Sequence, residues 1–440
     1  MSNNIDQFLH NKKIGVWGLG VVGKSVLEYL KNITPHVQIM DQKKHDTINV
    51  IVQTPENIQR FLHDNDIIIP SPGIVLHGYE QYAHKFVQEL DIFSSHFKNK
   101  IIAVTGTAGK TTVTTFLQQL IPDAVAAGNI GHAMLNIISD PQPSTVVLEL
   151  SSYQLQYAQN FAPDFALWTN FYPNHLDHHK TIEEYFDAKC SLLKNQTQYQ
   201  IALLPCALID RIKENVSLNQ AVFLHNTQKP FQRYAHPVFY QQENKLILET
   251  NNDIQIIFDD MSKLPSTTFP ANWITILATL YLNNINLTNV AYDTLVNQQH
   301  RVEYVTTFNN VKIYNDSKST IWQSTQQALQ MFPNQKIALC IGGLSKGADR
   351  TPLIEYVAQK NITLFLFGKE ADHLSKICAQ YNVPHYQSPT LENAVQLFKQ
   401  HHTNFETLLF SPAGSSFDLF KDYKDRGDAF KKIISHLSLI

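Results

Sequence analysis

With 440 residues, 43% of them hydrophobic, the chain is long enough for about three domains with packed cores, at roughly 150 residues per domain. Its net charge of −3 argues against binding to nucleic acid or to an anionic membrane surface. Four scattered cysteines without a CxxC pair indicate reduced thiols, and no apolar run reaches the ~18 residues of a membrane span. We therefore expect a cytoplasmic protein without a membrane partner.

The N-terminal stretch combines strand patterns with a glycine turn. KIGVW (13–17) predicts a strand, GLGVVG (18–23) a turn into a helix, and VQIM (37–40) a second strand that ends at Asp41. Three glycines followed by an acid at this distance are typical of a dinucleotide-binding fingerprint, and a glycine turn used only for packing is the alternative. IIIPSPG (67–73) predicts a further strand, so residues 1–97 are expected to form a Rossmann-like domain.

GTAGKTT, residues 106–112, carries the strongest signal in the chain. An apolar strand pattern, IIAVT, precedes it, and apolar residues at helical spacing follow it. Backbone N–H groups and the dipole at a helix start favour a phosphate, Lys110 is suited to reach the outer phosphates, and Thr111 offers a hydroxyl to Mg²⁺. Val104 replaces the usual first glycine, so the loop is a shorter variant. The alternative is an ordinary turn with an exposed lysine.

An acid ends the next predicted strand, TVVLEL (145–150). Glu149 at this position, beside a phosphate loop, is suited to hold Mg²⁺, and an edge-exposed glutamate is the alternative. FALWT (165–169) predicts a further strand.

A histidine-rich turn leads into a helix that carries a lysine on its apolar face. His175, Asp177, His178 and His179 precede Thr181 and Glu184, which match a capping box. Lys189 lies seven residues after Ile182 on the apolar stripe. A buried lysine is costly unless it is paired or chemically altered, whereas snorkelling to the surface avoids that cost, and the spacing leaves both open.

The C-terminal part alternates strand and helix patterns. After further strands in 200–260 and an apolar helix at 271–282, strands are predicted at 336–341, 363–367 and 407–411 with helices between them. This alternation predicts a doubly wound parallel sheet. The chain is therefore predicted to be α/β with three domains: Rossmann-like at 1–97, a central P-loop ATPase-type domain at 98–298, and a Rossmann-like doubly wound domain at 299–440.

Glycine is sparse and clustered. There are 16 glycines, under the roughly 7% average, and none occurs between Gly131 and Gly342. Since glycine is needed where φ is positive or where backbones approach closely, the clusters at 15–23, 106–131 and 342–347 predict three turns that face nucleotide or substrate.

GTAGKTT, NHLDHH, DAKC, HRVE, NDSK and GGLSKGAD, in this order, resemble the Mur ligases, which are ATP-dependent amide-forming enzymes of peptidoglycan synthesis. The resemblance covers essentially the whole chain. GLGVVGKS near the N-terminus and SPAGSSFDLFKDYKDRGDAF (411–430) are similar to the D-glutamate-adding member. It implies addition of D-glutamate to UDP-N-acetylmuramoyl-L-alanine through an acyl phosphate. It also implies a cytoplasmic monomer that uses ATP, two Mg²⁺ ions and a carbamylated Lys189, with no nucleic-acid partner.

The resemblance also implies roles for individual residues. The catalytic residues would be Lys110, Glu149, His175 and Lys189. The metal ligands would be Thr111, Glu149, His175 and the Lys189 carbamate. ATP would be bound by Gly106, Thr107, Gly109, Lys110, Thr111, Thr112, Asn272, Arg301 and Asp316. The UDP substrate would be held by Gly18, Val21, Val22, Asp41, Gln42, Lys43, Gly73, Asn129, Ser151 and Gln154. D-glutamate would be held by Lys318, Thr320, Lys346, Ser416 and Tyr423.

Some positions depart from the family pattern. Val22 replaces a hydroxyl residue in the first glycine turn. Beside the predicted ATP contact Asn272, Ala271 stands where the family usually has histidine, and Thr275 where it usually has a second asparagine. Ser345 stands where the family usually has aspartate, two residues after the glycine pair.

Three rival interpretations remain. A related Mur-type ligase or a folylpolyglutamate synthase would use the same activation with a different amino acid. A P-loop kinase would phosphorylate a small metabolite without releasing phosphate. A non-catalytic nucleotide-binding regulator would need no metal site.

Overall fold

Three sheets form the framework of the protein in this computed structural model, which describes residues 5–45, 48–139, 141–175, 178–265, 268–296 and 299–437. The described residues of 1–171, 178–261 and 274–291 form one compact unit, and those of 172–177, 262–273 and 292–440 form a second. The predicted α/β architecture with three domains is confirmed. The domain boundaries stay predictions, and the one at 298 lies outside the described residues.

The N-terminal sheet is parallel with strand order β3-β2-β1-β4. All four residues of β1 are buried, because this central strand pairs on both sides and helices cover its faces. The elements are α1 (Ile5–His10), β1 (Ile14–Trp17), α2 (Val21–Leu30), β2 (Val37–Asp41), β3 (Ile51–Val52), α3 (Pro55–Asp64), β4 (Ile67–Pro70) and α4 (Glu89–His96).

Helix α4 packs this sheet against the central one within the first unit. The Asp91 carboxylate accepts hydrogen bonds from the N–H groups of Gln159 (3.0 Å) and Asn160 (2.8 Å). Apolar side chains of both sheets and of helix α4 share one core, for example Val16, Leu148 and Phe93.

The central sheet has nine strands in the order β13-β12-β11-β10-β9-β8-β5-β7-β6, and β12 alone runs antiparallel to its two neighbours. Because β5 lies between β7 and β8, the residues that follow these three strands meet at one edge of the sheet. The elements are β5 (Lys100–Thr105), α5 (Lys110–Leu120), β6 (Ala124–Gly128), β7 (Thr145–Glu149), α6 (Ser152–Leu155), β8 (Phe165–Trp168), α7 (Ile182–Cys190), β9 (Ile201–Pro205), α8 (Ile209–Asn215), β10 (Ala221–Asn226), β11 (Val238–Gln242), β12 (Lys245–Glu249), β13 (Ile254–Phe258) and α9 (Pro270–Leu282).

The C-terminal sheet has the order β14-β15-β19-β16-β17-β18 and is parallel except for β14, as the doubly wound prediction requires. Since β15, β19 and β16 are neighbours, the loops after them lie side by side. The elements are β14 (Glu303–Phe308), β15 (Val311–Asn315), α10 (Trp322–Gln330), β16 (Ile337–Gly342), α11 (Thr351–Ala358), β17 (Ile362–Phe367), α12 (Ala371–Gln380), β18 (His385–Gln387), α13 (Leu391–His401), β19 (Thr407–Phe410) and α14 (Tyr423–Leu437).

Candidate active site

The GTAGKTT loop turns directly from β5 into α5. Gly106 has φ +139°, and a Cβ there would lie 2.0 Å from the Thr169 hydroxyl oxygen, so only glycine fits. Gly109, with φ +84°, is the N-cap of α5 and offers no side chain to cap it. The N–H groups at the start of a helix point away from its body, so this end of α5 is suited to an anion.

The two residues that follow β8, Thr169 and Asn170, fix the conformation of the GTAGKTT loop. The Asn170 side chain accepts a hydrogen bond from the N–H of Ala108 (2.9 Å) and donates one to the carbonyl of Ala108 (3.0 Å). The backbone carbonyl of Asn170 accepts from the N–H of Thr107 (3.1 Å). The Thr169 hydroxyl also donates to the Ala108 carbonyl (2.7 Å). Sequence reasoning missed Asn170. Its only signal was a polar pair directly after an apolar strand.

Two lysine amines share one backbone oxygen of the loop. Lys110 Nζ donates to the carbonyl of Gly106 (2.8 Å) and to that of Thr107 (3.1 Å), so this lysine folds over the loop instead of extending into solvent. Lys189 Nζ donates to the same Gly106 oxygen (2.9 Å) and lies 4.7 Å from the centroid of the Tyr185 ring.

Lys189 is buried, with 1% of its surface exposed, so the snorkelling alternative does not hold. Burial, with help from the nearby Lys110 charge, holds the pKa of Lys189 well below its usual range, although Glu149 acts in the opposite direction. This shift favours the neutral amine more than it is favoured in an exposed lysine. Helix α7, which carries Lys189, is capped by the Thr181 hydroxyl as predicted, but the Glu184 carboxylate accepts from the N–H of Lys180 rather than from that of Thr181.

Glu149 ends β7 with its side chain buried at 1% exposure, so it is not an edge-exposed glutamate. The Asn129 amide donates to Glu149 Oε1 (2.7 Å), and the Asn129 N–H donates to the Glu149 carbonyl (2.9 Å). Asn129 was assigned to the UDP substrate by resemblance, and in the structure it orients this carboxylate. Ser151 and Gln154, assigned to the same substrate, form the capping box that begins α6.

The donor set around the loop suits a hard cation. The Glu149 carboxylate and the hydroxyl of buried Thr111 are oxygen ligands, which Mg²⁺ prefers. No group of three or more His, Cys, Asp or Glu residues arranged for a metal occurs in the part of the chain that the structure describes.

The predicted histidine cluster is divided in the structure. His175 belongs to the second unit, and Asp177 lies outside the described residues. His179 is buried in the first unit with Nε2 2.8 Å from the Ser152 hydroxyl, and burial lowers its pKa to about 4. His178 lies against it, with the ring centroids 4.9 Å apart.

The glycine turn after β1 also has a close-packed geometry. Gly18 has φ +95°, and a Cβ on Gly23 would lie 1.9 Å from the Gly18 carbonyl oxygen, so glycine lets α2 begin at this distance. The Asp41 carboxylate accepts from the N–H groups of Leu19 (2.6 Å) and Lys43 (3.0 Å). Burial raises the pKa of Asp41, but these hydrogen bonds outweigh it and hold the pKa below its usual value.

The other residues assigned to the UDP end lie around this turn. Val21 and Val22 open α2, Gln42 follows β2, and Gly73 lies in the turn after β4. Together with Asp41 and Lys43 they surround the carboxyl edge of the N-terminal sheet.

The remaining residues assigned to ATP, Asn272, Arg301 and Asp316, all belong to the second unit and are buried. The Asp316 carboxylate accepts from the hydroxyls of Ser319 (2.5 Å) and Ser411 (2.7 Å). Burial raises the pKa of Asp316, and the nearby charge of Arg301 partly offsets this effect.

A pocket of about 540 Å³ lies in the second unit at the ends of β16 and β19. Of the residues assigned to D-glutamate, Thr320 and Lys346 line it. Ser416 lies between two lining residues, and Lys318 Nζ lies 5.5 Å from the Tyr423 ring, outside the lining. The lining also includes His175 and three residues that sequence reasoning missed, Trp322, Arg350 and Phe417.

A buried arginine holds two loops near this pocket. Arg426 is fully buried and donates to the Ser317 hydroxyl (3.1 Å), the Ser317 carbonyl (2.8 Å) and the Gly414 carbonyl (2.9 Å). It therefore fixes the loop that carries Lys318 to the loop that carries Ser416.

Comparison with known proteins gives one consistent set of relatives. The Mur ligase middle domain model matches residues 104–229. A UDP-N-acetylmuramoylalanine–D-glutamate ligase of Aquifex aeolicus (strain VF5) is 32% identical, covering 96% of this chain and 98% of the relative. A protein of the same name from Thermoanaerobacter sp. (strain X514) is 27% identical, covering 98% and 99%.

Solved structures share the fold. MurF from Acinetobacter baumannii has a TM-score of 0.61 at 14% identity, covering 99% of this chain and 92% of that one. The UDP-N-acetylmuramate-alanine ligase MurC from Thermotoga maritima has a TM-score of 0.57 at 16% identity, covering 97% and 100%.

Proposed function

The chain belongs to the Mur ligase family, and we propose that it adds D-glutamate to UDP-N-acetylmuramoyl-L-alanine at the expense of ATP. The observation that carries this proposal is the meeting of Lys110, Glu149 and Lys189 around the loop after β5. The names of its relatives of near-complete coverage support the choice of amino acid and acceptor.

The chemistry follows from the charges involved. A carboxylate is a poor electrophile, so its oxygen first takes the γ-phosphoryl group of ATP, which releases ADP and leaves an acyl phosphate. Bringing two anions together requires fixed positive charge, which Lys110 and the N–H groups at the start of α5 supply. The amine of D-glutamate then attacks the acyl carbon, and the tetrahedral intermediate collapses to an amide and free phosphate.

Glu149, Thr111, His175 and a carbamate on Lys189 would hold two Mg²⁺ ions. When bound, Mg²⁺ neutralises phosphate oxygens. A neutral amine is the form that reacts with CO₂, so the lowered pKa of Lys189 supports carbamylation. The product is an anion with two oxygen ligands, which removes the positive charge that is costly to bury at this position.

The remaining assignments follow from the resemblance and are proposed with it. ATP would also use Gly106, Thr107, Gly109, Thr112, Asn272, Arg301 and Asp316. The glycine turn after β1 with Asp41, Gln42, Lys43 and Gly73 would bind UDP, and Asn129, Ser151 and Gln154 the muramoyl part. Lys318, Thr320, Lys346, Ser416 and Tyr423 would bind the two carboxylates of D-glutamate.

Two observations bear on the surroundings in which the enzyme acts. No helix in the described part of the chain is both long and apolar enough to cross a membrane. All four cysteines are free and buried. We propose a monomer that acts in the cytoplasm on small-molecule substrates.

Phosphate release with a panel of amino acids tests this function. The full chain is mixed with ATP, Mg²⁺ and UDP-N-acetylmuramoyl-L-alanine, and D-glutamate, D-aspartate, L-glutamate and L-alanine are added in turn. We expect rapid release with D-glutamate alone, together with an amide product. Preference for L-alanine would assign a sister ligase, and a stable phosphorylated product without phosphate release would assign a kinase.

A further inference from the structure

The loop after β16, residues 343–347, carries Lys346 in a strained backbone. Gly343, Lys346 and Gly347 all have positive φ, at +72°, +53° and +80°, and Lys346 is the residue among them for which this conformation is unfavourable. Such a conformation persists only where the surroundings hold it in place. The position of the Lys346 amine in the pocket therefore depends on what holds this loop.

One side of the loop is held by the neighbouring loop after β19. Leu344 and Ser415 exchange two backbone hydrogen bonds of 2.9 and 2.8 Å. Gly342 and Gly414 lie so close that a Cβ on Gly414 would be 2.4 Å from the Gly342 carbonyl oxygen.

The other side is held by a carboxylate from a different part of the sheet. Glu370, which directly precedes α12, accepts on Oε1 from the N–H of Ser345 (2.9 Å) and from its hydroxyl (3.2 Å). Its second oxygen, Oε2, accepts from Arg350 Nη2 at 2.5 Å. Glu370 makes no capping bond to its own helix, so its side chain is committed to this loop.

Arg350 completes the connection back to the loop. It is 3% exposed and donates to the carbonyls of Gly342 (3.1 Å) and Gly343 (3.5 Å) as well as to Glu370. It also lines the pocket. A series of hydrogen bonds therefore runs from Ser345 to Glu370, on to Arg350 and back to Gly342. It encloses the loop just before Lys346, and its bonds are charge-assisted hydrogen bonds, which are the stronger kind.

We propose that Glu370 is a positioning residue for the incoming amino acid, which acts by fixing the loop that presents Lys346. Glu370 lies 25 residues from Ser345 in the sequence and places its carboxylate beside it. At position 345 itself this chain has serine, where the family usually has aspartate. This inference rests on the proposed function, because the pocket is taken to be the amino-acid site.

The geometry gives a sharp genetic test. Ser345 Oγ lies 3.2 Å from Glu370 Oε1, so an aspartate at position 345 would bring a carboxylate to the place that Glu370 now fills. Ser345→Asp in the wild-type background would crowd two carboxylates together, whereas the same change in Glu370→Ala would restore the missing acceptor for Arg350.

Four variants are compared with the wild type in the phosphate-release assay: Glu370→Ala, Glu370→Gln, Ser345→Asp, and the double variant Ser345→Asp/Glu370→Ala. We expect Glu370→Ala to raise the KM for D-glutamate about 10- to 100-fold, as small displacements of positioning groups do. The KM for ATP should change less than about twofold. The double variant should recover most of this loss, and Ser345→Asp alone should be worse than wild type.

A matched control comes from the same region. Glu355 on α11 is exposed and accepts a hydrogen bond from the Tyr381 hydroxyl (2.7 Å), so Glu355→Ala removes a carboxylate contact away from the loop and should leave both KM values unchanged. If Glu370→Ala does not fold, Glu370→Gln, which keeps the shape and one acceptor oxygen, carries the comparison.

An unchanged KM for D-glutamate in a folded Glu370 variant overturns the inference, as does an aspartate at 345 that fails to rescue. A wild-type chain that ligates no D-glutamate overturns the proposed function instead.

Discussion

Replacing Asn170 with alanine tests whether the loop after β5 is held from outside, by β8, rather than by its own glycines. The substitution removes the two side-chain hydrogen bonds to Ala108, of 2.9 and 3.0 Å, and leaves the backbone bond to Thr107 in place. At about 1 kcal/mol net for each bond, the loop conformation seen in the structure loses roughly 2 kcal/mol of stability relative to other conformations of the loop. This corresponds to about a 30-fold change in an equilibrium constant.

In the proposed function ATP binds the loop in the conformation that Asn170 holds, so a smaller population of that conformation lowers the apparent affinity. We therefore expect Asn170→Ala to raise the KM for ATP by up to about 30-fold, with a smaller effect on the KM for D-glutamate. The measurement is initial-rate phosphate release over a range of ATP concentrations, together with urea unfolding.

Asn195→Ala is the matched control, because its amide also donates to two carbonyls, those of Gln159 (2.7 Å) and Phe161 (3.3 Å), away from the loop. It should lower stability by a similar amount and leave the KM for ATP unchanged. A KM for ATP in Asn170→Ala within twofold of wild type, or an equal rise in both variants, would refute the reasoning.

Four further predictions follow from the sites. Lys110→Ala should abolish phosphate release while the circular dichroism spectrum stays native; near-normal turnover would remove the phosphate-loop assignment. Lys189→Arg, which blocks carbamylation, should be inactive, and Lys189→Ala should be partly rescued by acetate; wild-type activity in the arginine variant would exclude the metal-bridging role. Lys346→Ala should raise the KM for D-glutamate far more than that for ATP in the same assay, and equal shifts would contradict its assignment. His225 is buried, its Nε2 lies 2.9 Å from the Trp168 carbonyl oxygen, and burial lowers its pKa to about 4; since the unfolded state takes up the proton first, stability should fall by roughly 3 kcal/mol as pH drops from 6.5 to 4, and an equally steep fall in His225→Gln would show that another group is responsible.

The features that sequence predicted best are local ones. The strand, glycine turn and helix around GTAGKTT lie within residues 100–120, and their geometry is set by φ values and helix periodicity that the residue types encode. The spacing placed Lys189 on the apolar face of its helix but left its burial open, and its shared acceptor at Gly106 depends on how α7 packs against β5.

Contacts between segments that are distant in the chain could not be predicted from the sequence. Asn170 meets Ala108 only because β5 and β8 are neighbours in a sheet, and the sequence contains strand order only indirectly. Glu370 meets Ser345 for the same reason, across β16 and β17. Both residues have polar side chains at strand ends, where many exposed residues look alike.

The buried arginine Arg426 has a consequence for how such an enzyme changes over evolutionary time. It fixes the backbone of the 317 and 414 loops from inside the domain, whereas Thr320 and Lys346, which line the pocket, are exposed. Exchanging an exposed side chain usually alters stability by less than about 0.5 kcal/mol. The buried residue that fixes the backbone of the pocket is therefore distinct from the exposed side chains that line it. A few substitutions at exposed positions can therefore change the amino-acid specificity of such an enzyme while every intermediate variant stays folded.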